Sequence, residues 1–204
     1  MNNLGILKKI GFSSTGITET IITIECGNML YSTPIGFKLC RDKLVAKVYK
    51  NTLLHELLSR KDCKLCLCIT SSSMLFYRSV LERDYLKYIY LKDVDRKCIQ
   101  NCDSYINLDL IDIIDRKQYS LHYFKPFKII IANTYPKGFH RYDYAIVESL
   151  VYLTKMTYVD ENTRLSYYER ILWCRDIVYR TCSNRFIRVL INNIVEKASK
   201  YLEK

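Results

Sequence analysis

The chain has 204 residues, of which 49% are hydrophobic and 26% charged, enough for a full core in one domain or two small ones. Eighteen tyrosines against three prolines exclude a disordered chain, and charges interrupt every apolar run before it reaches the length of a membrane span. The net charge of +11 would suit an anionic cofactor, nucleic acid or an acidic partner, but the basic residues are spread out, with no contiguous block and no nucleic-acid motif. Nucleic acid is therefore the lesser reading, which the charge alone does not exclude.

The first stretch, MNNLGILKKIGF, has lysines after its apolar pair and no small-residue cleavage site. It does not read as a signal peptide, which places the protein in the cytoplasm. Residues 1–16 read as an irregular lead-in, with Gly11, Ser13, Ser14 and Gly16 as breakers. Thr18 to Glu25 is rich in β-branched residues and predicts a strand. Cys26-Gly27-Asn28 predicts a hairpin turn, and Met29 to Cys40 the return strand. Pro34 and Gly36 interrupt that strand. A proline loses a ladder donor, so the segment should be an edge, a bulge or a place where a ligand nears the backbone.

Arg41-Asp42 turns into the next strand, where Leu44, Ala46 and Val48 share one face and Lys43, Val45, Lys47 and Tyr49 the other. Lys50-Asn51-Thr52 follows, then a short helix from Leu53 to Ser59, with Asn51 or Thr52 as N-cap. Lys47, Lys50 and the Thr52 hydroxyl sit beside the free N–H groups of that corner. The arrangement suits a phosphate dianion. An ordinary strand–helix corner with solvated lysines is the reading that the pattern alone favours.

Cys63 to Thr70 reads as a buried strand and starts to close a small β-barrel with the three before it. Cys63 and Cys66, with Cys98 and Cys102 further on, loosely resemble zinc spacing. In a strand, positions 63 and 66 point to opposite faces, so no metal site is expected. The nine cysteines read mainly as small buried hydrophobes, and their odd number argues against a full disulfide framework. An internal disulfide stays open for a hyperthermophilic host.

Ser71-Ser72-Ser73 caps a short apolar segment, Met74 to Leu81, and Tyr85 to Lys97 reads as an insertion or a short strand with a basic loop. Ser104 to Asp115 alternates, with Tyr105, Asn107, Asp109, Ile111 and Ile113 opposite Ile106, Leu108, Leu110 and Ile114. It should pair with Ser120 to Asn133 as a hairpin that closes the barrel. Composition shifts at Tyr135-Pro136-Lys137-Gly138. The expected division is a barrel over 1–135 and a helical segment over 136–204. Helices are predicted over Tyr142 to Tyr158, Asn162 to Thr181 and Asn184 to Leu202, the last two as an antiparallel hairpin using Leu165, Leu172, Val178, Phe186, Leu190 and Ile194. Arg141 opens the first of these helices against its dipole and calls for an anion: a ligand phosphate, or Asp143 or Glu148 nearby. His55, His122 and His140 read as structural or exposed.

The segments GITETIITI (from Gly16), STPIGFKL (from Ser32), KVYKNTLLHELL (from Lys47) and FHRYDYAIVESLVYLTKM (from Phe139) carry a resemblance. From about Gly16 to Lys197 the chain resembles the archaeal "domain of unknown function 447" family. That family has a flavin-reductase-like, FMN-binding split barrel followed by C-terminal helices. The resemblance implies an α+β fold, an antiparallel split β-barrel followed by a C-terminal helical segment with an α-hairpin. It also implies FMN at a homodimer interface, with its phosphate near the strand–helix corner. By position, Thr52 matches the phosphate-loop threonine, Lys50 a lysine, and Lys47 a place that tends to hold arginine. Pro34, Ile35 and Gly36 match the strand beside the isoalloxazine ring, and Arg141 matches the arginine before the helix. Tyr49 and Asn51 flank the same corner, and Cys68 falls where the family has an asparagine.

The corner departs from the family's G-T-R-T-Y-E-N-L: here it is Asn51-Thr52-Leu53-Leu54-His55-Glu56-Leu57-Leu58. A threonine, an arginine and an asparagine become leucine, and each change removes a hydrogen-bonding group. The leading reading is an FMN-binding split-barrel protein, a homodimer without a membrane partner, with flavin-dependent oxidoreductase chemistry as its candidate activity. The alternative is a non-enzymatic barrel that has lost flavin and serves as an interaction or nucleic-acid-binding module.

Overall fold

The structure, a computed structural model, describes residues 3–60, 62–133 and 140–203. The expected composition boundary at Tyr135–Gly138, like Phe139, lies outside the described residues. The chain groups into two compact units, residues 1–70 with 83–135, and residues 71–82 with 136–204.

The first unit is a closed barrel of six antiparallel strands: β1 (Thr18–Cys26), β2 (Met29–Cys40), β3 (Lys43–Tyr49), β4 (Lys64–Ile69), β7 (Ser104–Asp115) and β8 (Tyr119–Ile131). They neighbour one another in the order β1-β2-β3-β8-β7-β4. β5 (Tyr88–Leu91) and β6 (Arg96–Ile99) form a separate two-stranded hairpin. The β1–β2 turn uses Gly27 at φ 57°, a left-handed conformation that glycine adopts freely. The split-barrel architecture, with helices after it, is the one expected from the sequence.

Period-two patterning sets the interior. Leu44, Ala46 and Val48 of β3 point inward with Ile35, Phe37 and Leu39 of β2, Leu65 and Leu67 of β4, Ile106 and Leu108 of β7, and Phe124 of β8. Phe37 and Phe124 meet edge to face, 5.5 Å between centroids. On β7 the alternation of burial is absent from Ser104 to Leu108, where both faces are covered, and from Asp109 onward every residue is exposed or half-buried. A strand covered on both faces loses its polar side.

Two short helices flank the barrel. α1 (Asn3–Lys9) replaces the irregular lead-in expected for residues 1–16. Leu4, Leu7 and Ile10 recur at helical spacing, Lys8 and Lys9 suit its C-terminal turn, and Leu7 and Phe12 join the barrel core. The Asn3 amide donates to the Pro126 carbonyl at 3.2 Å, which seats α1 against β8. α2 (Leu53–Leu58) leaves the opposite end of β3, and Leu57 and Leu58 enter the core. Thr52 is its N-cap, and the Thr52 hydroxyl accepts from the His55 N–H at 3.2 Å. The corner before it requires Asn51 at φ 66°, a region that asparagine tolerates and β-branched residues do not.

The cysteines overturn the expectation of unpaired thiols. Three disulfides form, Cys26–Cys63, Cys66–Cys98 and Cys68–Cys102, while Cys40, Cys174 and Cys182 are free. The odd total hid six paired residues, because parity says nothing about how many of nine can pair. Strand alternation explains the choice: Cys66 and Cys68 share the outer face of β4, and both meet cysteines of the segment that covers it.

The second unit contains α3 (Ser73–Leu81), α4 (Arg141–Lys155), a 3₁₀ turn (Met156–Tyr158), α5 (Glu161–Thr181) and α6 (Arg185–Ser199). α4 buries the predicted stripe of Ala145, Ile146, Ser149, Leu150 and Leu153. On α5 the buried stripe is Ile171, Cys174, Ile177 and Val178, whereas the expected core residue Leu165 is exposed, as is Phe186 of α6. Leu190, Ile191, Ile194 and Ala198 form the buried face of α6. Asp160 and Asn184 cap α5 and α6 through Thr163 and Phe186 N–H groups at 3.0 and 2.9 Å. Tyr77 of α3 accepts from the Asn193 amide of α6 at 3.1 Å.

One polar group in the barrel interior is conspicuous. His122 of β8 is fully buried, stacked on Phe124 at 6.2 Å and edge-on to His55 at 5.9 Å, and neither ring nitrogen has a hydrogen-bond partner by geometry. Burial holds its pKa below the ordinary histidine value. The folded chain therefore binds fewer protons than the unfolded chain once pH falls below about 6.5. Stability is greatest above that pH and declines as pH drops from it towards the folded pKa. Urea unfolding between about pH 7 and pH 5 should show this decline, and His122→Phe should remove that part of it. At the corner, Asn51→Gly should change stability by no more than a few tenths of a kcal/mol, whereas Asn51→Val should cost about 1–2 kcal/mol in the same measurement.

Candidate functional site

The site is built where two neighbouring strands part. β2 and β3 are laddered from Cys40↔Lys43 to Phe37↔Ala46 and no further. β2 nevertheless runs back to Met29 on the β1 side, and β3 runs on to Tyr49 on the β8 side. Pro34, Ile35 and Gly36 therefore have ladder partners on β1 only, at Ile21, Thr20 and Glu19. The proline sits on a free edge, one of the settings its missing N–H allows. The Ile35 carbonyl accepts the Thr20 hydroxyl at 2.9 Å.

A side chain at position 36 would have to displace Ile17. A Cβ there would lie 2.5 Å from Cγ2 of Ile17 and 3.3 Å from Oε1 of Glu19. The outer face of β2 at this point is thus bare backbone overlain by the exposed Ile17 side chain.

Across the parting, β3 turns Lys47 and Tyr49 to the same outer face. The Lys47 Nζ lies 4.7 Å from the Tyr49 ring centroid and 4.2 Å from that of Tyr119, which pairs with Tyr49 on β8. Among the described residues no carboxylate pairs with Lys47. Lys50 is paired, its Nζ 3.1 Å from Asp115 at the end of β7, and its N–H donates to the Gln118 carbonyl at 3.1 Å. The Thr52 hydroxyl donates to the Tyr49 carbonyl at 2.8 Å while it accepts from His55. The corner is a cation flanked by two aromatic faces, a second cation held by an exposed carboxylate, and a hydroxyl tied into the cap. Such a set can receive a planar ring carrying a phosphate.

Of two further expected site residues, one is taken up in a disulfide and the other belongs to the second unit. Cys68 is fully buried on β4 and bonded to Cys102, so it presents no thiol to a ligand. Arg141 is the exposed first residue of α4 in the second unit, and no ion pair engages it among the described residues. Asp143, proposed as its partner, instead accepts the Ser73 hydroxyl at 2.5 Å and lies 3.7 Å from His140 Nδ1. Sequence reasoning missed Tyr119 and Asp115. Their place beside Lys47 and Lys50 follows from the β3–β8 register, and no local pattern encodes the pairing of strands some seventy residues apart.

No protein-family model matches the sequence, and no curated protein matches it. Solved structures do. An FMN-bound protein from Methanosarcina mazei, of the DUF447 family, superposes with a TM-score of 0.74 at 18% identity, over 94% of this chain and 99% of that one. The flavin reductase HpaC, solved with NADP+, gives 0.52 at 14% identity over 67% and 90%. A homologue of nitrilotriacetate monooxygenase component B from Mycobacterium thermoresistibile gives 0.50 at 13% identity over 59% and 72%. The M. mazei likeness takes in the helices as well as the barrel. This chain has the fold of a flavin-reductase-like split barrel extended by C-terminal helices.

Proposed function

We propose that this chain binds FMN on the outer face of its barrel, works as a homodimer, and uses the flavin for oxidoreductase chemistry. The observation that carries the reading is the parting of β2 and β3 after Phe37↔Ala46. It leaves backbone laddered from the β1 side alone at Pro34–Gly36 on one side, and Lys47, Tyr49 and the Lys50–Thr52 corner on the other. The full-length likeness to an FMN-bound protein supports it.

The residues present fit the group. Among the described residues Lys47 has no carboxylate partner, and Tyr119 and Tyr49 offer flat faces beside it. The Lys50–Asp115 pair is exposed and worth only about 0–1 kcal/mol, so a phosphate can take Lys50 over. Thr52 would complete the phosphate contacts, and the backbone of Ile35 and Gly36 would lie beside the ring. FMN, when bound, supplies the electron transfer; the chain holds the phosphate, orients the ring and shields one face. The outer face of β3 and β8, with Tyr49, Leu121 and Tyr123, would be covered by the second copy.

The leucines of α2 favour a second reading, since Leu53 and Leu54 place no hydrogen-bonding side chain in its first turn. On that reading the barrel has lost flavin and is an interaction or nucleic-acid-binding module, which the +11 charge would serve. Fluorescence titration with FMN separates the two. Native protein should retain FMN through desalting, elute as a dimer by light scattering, and oxidise NAD(P)H when loaded. Lys47→Ala should weaken FMN binding more than tenfold, or about 1.4 kcal/mol. Thr52→Ala should do the same while Thr52→Ser, which keeps the helix cap, should not. Unchanged affinity in both alanine variants sinks this placement of the phosphate. Native protein that releases all FMN and carries material absorbing at 260 nm supports the second reading.

A further inference from the structure

The segment from Arg83 to Asp103 is a cover over the barrel. It holds two 3₁₀ turns (Arg83–Tyr85 and Lys92–Val94) and the β5–β6 hairpin, whose strands pair only with each other. Beneath it, Cys66 and Cys68 of β4 stand opposite Asn107 and Tyr105 of β7 on the barrel's outer face. Both cysteines bond to the cover, through Cys98 and Cys102.

The other attachments are solvent-facing ion pairs, scattered hydrogen bonds, and the Arg83 and Arg96 guanidinium groups over the Tyr31 and Phe127 rings. Lys64–Asp95, Lys97–Glu25 at 2.8 Å, Lys128–Asp93 at 3.5 Å and Arg96–Asp109 at 3.8 Å are ion pairs with at least one solvent-facing member. Such pairs hold weakly. Tyr88 reaches the Ser32 hydroxyl at 3.1 Å, the Arg83 Nε donates to the Ser32 carbonyl at 3.3 Å, the Cys102 N–H donates to the Tyr105 hydroxyl at 3.3 Å, and the Asp103 N–H donates to the Ile69 carbonyl at 2.8 Å. Apart from its cysteines, the cover buries only Leu86 and Ile99. An isolated two-stranded hairpin is marginal in water. The surface under it is also poorly matched: Asn107 is fully buried with both amide atoms lacking a hydrogen-bond partner, a cost that water would relieve.

We propose that this cover is a redox-locked flap: the disulfides Cys66–Cys98 and Cys68–Cys102 hold it down, and their reduction frees it from β4 and β7 while the barrel stays folded. Each step consumes one external dithiol, which gives two electrons and two protons to one disulfide. That S–S bond breaks, two cysteine thiols form, and the dithiol becomes a cyclic disulfide. The inference is independent of the flavin reading.

Dithiothreitol is the probe. Alkylation of unfolded, unreduced protein should label only Cys40, Cys174 and Cys182, and all nine cysteines after reduction. Hydrogen exchange of reduced, folded protein should show the amides of the β5–β6 segment exchanging at least tenfold faster, with β1, β2, β3 and β8 unchanged. The double variants Cys66→Ser/Cys98→Ser and Cys68→Ser/Cys102→Ser should each give part of that increase without reductant. Labelling of all nine cysteines before reduction overturns the proposal. So does unchanged protection of the flap after reduction, or loss of protection throughout the barrel.

Discussion

The pairing of Phe37 with Ala46 is the last rung that joins β2 to β3, and the arrangement of the barrel depends on where that ladder stops. Inside, Phe37 packs edge-on against Phe124, so the rung is backed by two of the largest fully buried side chains. Beyond it, β2 follows β1 and β3 follows β8. A barrel of uniform ladders would have no free backbone on its wall. Here one stretch, Pro34 to Gly36, is satisfied from one side only, and proline and glycine are residues that suit an open edge facing another surface.

Electrostatics at the parting follow from the same register. Lys47 cannot reach inward, where Ala46 and Val48 face the core, so it lies over two tyrosines on the outer face. Lys50 lies beyond the strand and meets Asp115 from the β7–β8 hairpin. The two lysines thus differ: one lies against aromatic rings, the other is paired with a carboxylate in contact with water. The high net charge says little here; the placing of individual carboxylates decides which cations remain available.

Much of this was legible in the residues. β-branched runs, the Gly27 turn, the alternation of Leu44, Ala46 and Val48, and Thr52 as a cap each encode local geometry, and each is found where expected. The stripe on α4 is equally local. Three features were not legible for one shared reason, that they are set by distant partners. Tyr119 and Asp115 reach the site through strand register. Leu165 and Phe186 have helical spacing yet stay exposed, because the buried face of a helix is chosen by what packs on it. Two of the three disulfides depended on Cys98 and Cys102 folding back over β4, which the sequence near Cys66 does not announce. α1 is the exception: Leu4, Leu7 and Ile10 carried a signal that the nearby glycines and serines obscured.

The order in which the pieces appear along the chain differs from the order in which they belong together. α3 is made directly after β4 and before β7 and β8, yet it groups with helices that begin some sixty residues later. While the chain grows, the apolar side of α3 has no companion, and β3 lacks its second neighbour until β8 is complete. The units are interleaved, so no single cut yields both intact. A truncation near residue 135 would leave α3 attached to the barrel with its buried face, Phe76 and Tyr77, stripped of its companions. The connection out of β4 and back therefore makes the helical unit and the barrel interdependent during synthesis, even though each has its own core.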